Sequence, residues 1–78
     1  MLTIKEKCRE RFIRAGFRNM NIPNANWEMW TKGQIIGCLE NNEWTVDNSD
    51  IANYNGEYTE NGLITLENIL KELCDVDA

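Results

Sequence analysis

The chain has 78 residues, of which 42% are hydrophobic and 27% charged, a globular balance that excludes wholesale disorder. That length makes one small globular domain, residues 1–78. It holds no apolar run of the roughly 18 residues a membrane span needs and no apolar segment of a signal peptide at its start, so the cytoplasm, or the cytoplasm of a host, is the expected location. The net charge of −5 is unevenly spread: residues 1–18 carry six cations and two acids, residues 19–78 two cations and eleven acids.

Thr3-x-x-Glu6 has the form of a capping box and Gly16 that of a helix stop, so a first helix is expected over about 4–15. Ile4, Cys8, Phe12 and Ala15 make its apolar stripe, with Ile13 and Phe17 pointing elsewhere. Lys7, Arg11, Arg14 and Arg18 follow at i, i+4, i+7 and i+11, and a helix reaching Arg18 would gather four cations on one narrow arc. In the loop that follows, Ile22 is extended by the proline after it, Asn24 or Asn26 can cap the next element, and Met20 and Ile22 are placed to plug the gap between helices.

Residues 26–40, NWEMWTKGQIIGCLE, are apolar on nearly every side and read as a central helix over about 27–40. Trp27, Thr31, Ile35, Cys38 and Leu39 fall on one broad face, Trp30, Gly33 and Gly37 on an adjoining one, and Met29 and Ile36 on the far side. Thr31-x-x-Gln34 offers a second start at Lys32. Gly33 and Gly37 each cost a helix about 1 kcal/mol against alanine, a cost offset if another backbone comes close there.

Asn41-Asn42 reads as a turn, and Trp44, Thr45 and Val46 as a short strand. Asn55-Gly56 and Asn61-Gly62 are both two-residue hairpin signals. Together they predict a small meander over residues 51–65, with Tyr54 and Tyr58 packing it onto the helices; if only one forms, a single hairpin remains. A last helix over about 66–74, capped by Thr65, has Leu66, Ile69, Leu70, Leu73 and Cys74 on one stripe facing the central helix, with the final four residues frayed. The expected fold is therefore α+β: three helices with a small antiparallel hairpin or meander between the second and third. An all-helical fold with an irregular middle is the alternative.

Little in this chain supports catalysis. There is no histidine and the one serine is Ser49, so a hydrolase triad cannot be built, and a cysteine nucleophile lacks its usual base. No phosphate-binding glycine loop is present. Cys8, Cys38 and Cys74 are too dispersed for a zinc site and each falls on an expected apolar helix face, so they read as buried thiols. An EF-hand loop beginning at Asp47 fails at Ile51 and Ala52, where a ligand and a glycine are needed. The carboxylate pairs Asp47/Asp50 and Glu57/Glu60 have the spacing of ordinary solvated loops. A non-enzyme with no cofactor and no metal is expected.

Two modes of action remain. In the first, the acidic surface of Glu40, Glu43, Asp47, Asp50, Glu57 and Glu60 binds a protein partner, for example a nucleic-acid-processing enzyme or complex, as a mimic of phosphate. In size, acidity and lack of catalytic residues the chain is similar to small phage-encoded inhibitors of host defence, including anti-CRISPR and anti-restriction proteins, a likeness of profile that singles out no residue. In the second, Lys7, Arg11, Arg14 and Arg18 bind nucleic acid directly as an anion-binding face. The net negative charge and the lack of aromatic residues on that arc place this second. Pairing of two copies through the Gly33 and Gly37 face is a third possibility.

Overall fold

The computed structural model describes residues 1–48 and 52–74 and runs helix, five strands, helix. The elements are α1 Ile4–Arg14, β1 Arg18–Asn19, β2 Glu28–Lys32, β3 Ile35–Leu39, β4 Glu43–Asn48, β5 Ala52–Glu57 and α2 Glu60–Cys74. The strands form one antiparallel sheet in the order β1-β2-β3-β4-β5. The buried side chains of α1 and α2 join those of one sheet face in a single core cluster, so both helices cover the same side. The class α+β holds, but the sheet dominates; an arrangement of three helices around a small hairpin is overturned, and so is the all-helical alternative.

α1 starts and stops as its sequence dictates. Thr3 Oγ1 accepts from the Glu6 amide at 3.1 Å while the Glu6 carboxylate accepts from the Thr3 amide at 3.0 Å, which completes the capping box. At the other end Gly16 sits at φ +92°, its amide donates to Ile13 and that of Phe17 to Phe12, a Schellman arrangement. The turn brings Phe17 back into the core, with its ring edge-on to Phe12 at 5.1 Å. Phe17 was expected to point away; the left-handed glycine reverses it. Lys32 Nζ donates to the Ala15 carbonyl at 2.6 Å, a cation placed at the negative end of the helix.

The expected central helix is a hairpin. β2 pairs with β3 from Glu28↔Leu39 to Lys32↔Ile35, leaving Gly33-Gln34 as a two-residue turn. Gly33 has φ +60°, the left-handed first position that a II′ hairpin turn needs. Side chains therefore alternate. Trp30, Ile35, Gly37 and Leu39 face the helices, whereas Met29, Thr31, Ile36 and Cys38 face outward. Helical spacing failed because the outward face is nearly as apolar as the inward one, which hides the two-residue period. Cys38 accordingly lies on a strand, not on a helix face.

Both Asn-Gly turns are also absent. Gly56 lies within β5 opposite Trp44, and a Cβ there would fall 2.4 Å from the indole, so the glycine makes room for the ring. Asn61-Gly62 lies in the first turn of α2, where Thr59, not Thr65, is the cap: its Oγ1 accepts from the Gly62 amide at 3.0 Å. α2 thus begins six residues earlier than expected. Leu66, Ile69 and Leu70 of the expected stripe are buried, joined by Leu63, with Leu73 and Cys74 partly buried against the same core, and α2 packs on α1 and β5 rather than on a central helix. The Asn41-Asn42 turn and the strand over 44–46 are present, the latter inside β4. The end fraying expected for residues 75–78 falls outside the described residues.

One ion-pair network ties α1 to the sheet. Arg9 Nε donates to both Glu28 carboxylate oxygens at 2.9 and 3.1 Å, and Trp30 Nε1 donates to the same carboxylate at 3.1 Å. The Arg9 guanidinium, more than the indole, holds the Glu28 carboxyl below its ordinary 4.5. Because the folded value is depressed, this contribution is complete above about pH 4.5 and is lost as pH falls through the lower folded value. Glu28→Gln should therefore cost about 1–2 kcal/mol at pH 7 and much less at pH 3, a difference read from urea titrations at the two pH values. An equal cost at both would show that the charge plays no part.

Candidate functional site

With both helices on one side, the other face of the sheet is open. Strand alternation and register place its side chains in three cross-strand rows. The first runs Arg18, Thr31, Ile36, Asp47, Asn53; the second Met29, Cys38, Thr45, Asn55, with Met20 beside Met29 through its amide bond to the Met29 carbonyl. The third lies at the Asn41-Asn42 end: Glu40, Glu43 and Glu57, with Trp27 adjacent on the strand beyond Glu28. The first three strands contribute an apolar half, in which Met20 is 52% and Trp27 and Ile36 are each 37% exposed. The last two contribute an acidic and amide-bearing half.

Of the acidic residues singled out from sequence, Glu40, Glu43 and Glu57 come together in one row. Glu43 and Glu57 lie directly opposite each other. No ion pair partners these three among the described residues. Asp47 lies on the same face about 13 Å along β4 by strand rise. Glu60 opens α2 at this end of the molecule, where a carboxylate complements the helix N-terminus, and is not on the sheet. Asp50, and with it the Asp47/Asp50 pair, lies outside the described residues.

The backbone beneath these carboxylates is fixed. Glu40 N donates to the Glu43 carbonyl at 2.9 Å, closing the turn. The Tyr58 hydroxyl lies 2.5 and 2.9 Å from the carbonyls of Glu40 and Glu43, anchoring it to the chain between β5 and α2. Burial, reinforced by the neighbouring acids, pushes the Tyr58 phenol up, so it stays a donor across the working pH range. Between the turn and Trp27 an open groove of about 410 Å³ is lined by Asn26, Trp27, Glu40, Asn41, Asn42 and Glu43. Sequence reasoning missed this groove because it placed Trp27 inside a helix core; the signal was the glycine that breaks that run at 33.

The basic set is divided. Lys7, Arg11 and Arg14 are on α1, but the helix ends at Arg14 and Arg18 is exposed on β1, on the open sheet face. Arg11 is engaged with Glu67 of α2 at 2.8 Å. The arc of four therefore reduces to Lys7 and Arg14 as helical cations without an ion pair among the described residues. No Glu10–Arg14 ion pair forms among the described residues.

The three cysteines are free thiols. Cys8 is fully buried and burial pushes its thiol up to about 11; burial also raises Cys38 and Cys74, both half-buried. Among the described residues no three histidine, cysteine or acidic side chains converge as a metal site, and no helix is long and apolar enough to cross a membrane. Comparison of the chain with protein-family models, curated proteins and solved structures returns no match.

Proposed function

We propose that the protein is a non-enzymatic protein-binding module of the cytoplasm or a host cytoplasm: a small acidic inhibitor or adaptor that occupies the cationic surface of a nucleic-acid-processing partner in place of phosphate. The observation that carries this reading is the row Glu40, Glu43, Glu57. Like charges directly opposite on neighbouring strands weaken a sheet, and here no cation among the described residues offsets them. Carboxylates about 5 Å apart across strands offer a repeating negative charge to a basic partner. Arg18, the cation on the same face, is three strands or roughly 14 Å from Glu43's strand, beyond the screening length at physiological salt.

The test is a tagged capture from lysate of the source or host cell, run with and without nuclease. A stoichiometric protein that survives nuclease is expected, with retention falling at least a hundredfold for the variant Glu40→Lys/Glu43→Lys/Glu57→Lys. Retention unchanged by the reversal would reject the mimic mechanism. Loss of every partner on nuclease treatment would instead favour nucleic acid bound through Lys7 and Arg14.

A further inference from the structure

An antiparallel sheet covered on one side ordinarily turns polar side chains to water on the other. Here β2 and β3 turn out Met29, Ile36 and Cys38, with Met20 beside them and Trp27 at the groove, while two helices cover the opposite face. An exposed apolar patch of this kind, bordered by charge, marks an interaction surface. Its border is the unpaired carboxylate row, so its complement carries positive charge beside an apolar group.

We propose that the helix-free face docks a basic segment of a partner protein through an arginine, whose guanidinium lies in the groove on Trp27 between the carboxylates of Glu40 and Glu43, with an adjoining aliphatic side chain on Met29, Cys38 and Ile36. This rests on the protein-binding reading above and names its anchor. Arginine fits better than lysine, because a planar guanidinium stacks on an indole face and presents paired donors to carboxylates, whereas an ammonium is a strongly hydrated point charge. The groove is also preorganised: Tyr58 and the Glu40–Glu43 bond hold the turn, so little ordering of the backbone accompanies binding.

A second copy is a poorer occupant. Two sheets laid face to face about an axis along β3 bring Glu40 onto Glu40, and about an axis across the strands they bring Glu43 onto Asp47. Either way carboxylate meets carboxylate. A nucleic acid meets the same repulsion on this face.

The test uses the three tryptophans, of which Trp30 and Trp44 are buried and Trp27 is exposed. The probe is a five-residue peptide alternating arginine and leucine, titrated into the isotope-labelled full chain and followed by the indole and backbone amide resonances. The Trp27 indole and the amides of residues 36–43 should shift while the Trp30 and Trp44 indoles stay still. Affinity should fall at least threefold for the lysine peptide and about tenfold for Trp27→Ala and for Glu40→Gln/Glu43→Gln, with Lys71→Gln, on exposed α2 surface, unchanged. If the carboxylate variant loses binding but Trp27→Ala does not, the groove is refuted and the acidic-surface reading stands. If neither variant matters, or a glutamate-leucine peptide binds equally well, the face is not a cation dock at all. A mass that rises with protein concentration and falls for Ile36→Asp would make a second copy the occupant and overturn the proposal.

Discussion

Gly62→Ala should destabilise the protein by about 3 kcal/mol or more, even though the same change inside an ordinary helix gains about 1 kcal/mol. The reason is the junction between β5 and α2. Thr59 N donates to the Glu57 carbonyl at 2.9 Å and Thr59 caps the helix, which folds the end of the strand against the third helical residue. A Cβ on Gly62 would lie 1.9 Å from the Glu57 carbonyl oxygen, an atom of the backbone that cannot swing aside. Relief requires opening the turn and lifting α2, with Leu63, Leu66, Ile69 and Leu70, off the core. For a chain of this length, whose total stability is about 4–12 kcal/mol, that is a large fraction. Gly33→Ala is the control: nothing lies within 4 Å of a Cβ there, so only the strain of a side chain at φ +60°, about 1–2 kcal/mol, is expected. Urea midpoints of the two variants read the contrast, and a Gly62→Ala protein as stable as the parent would disprove the junction geometry.

Phe12 and Gly37 should behave as one unit. The Phe12 ring is fully buried, stacks on Trp30 at 6.5 Å and occupies the space where a Cβ of Gly37 would lie, 2.3 Å from its nearest carbon. Phe12→Ala should cost about 3–5 kcal/mol through the cavity it leaves, and Gly37→Ala about 1–3 kcal/mol because the ring must shift. In the double variant the alanine methyl enters vacated space, so the costs should fall short of additivity by about 1–2 kcal/mol. Chemical denaturation of the four proteins gives the coupling. Strict additivity would mean that the ring does not lie over Gly37.

Elements whose instructions are local were legible in the sequence. The Thr3/Glu6 box and Gly16 delimit α1 to within one residue, Asn41-Asn42 does turn, and the α2 stripe is apolar where it is buried. Each depends on neighbours within a few residues. The middle of the chain was not legible. Met29 beside Trp30 and Ile35 beside Ile36 put apolar side chains on both faces of one hairpin, so alternation was invisible and helical spacing offered a false match. Gly56 and Gly62 were misread for a related reason. Asn-Gly is a turn signal in isolation, but these glycines answer to Trp44 and the Glu57 carbonyl, partners distant in sequence or fixed only once the strand and helix meet.

The candidate site divides along the same line. Residue order alone determined an acidic body behind a basic first helix, and carboxylates at 40, 43 and 57. Only the tertiary structure decided that Glu40, Glu43 and Glu57 share a row, that Trp27 is exposed beside them while Trp30 and Trp44 are not, and that Arg18 leaves the helix for the open sheet face. Charge and composition belong to single residues and survive in any fold. Adjacency across strands belongs to register, which is set by long-range pairing and by which face the two helices cover.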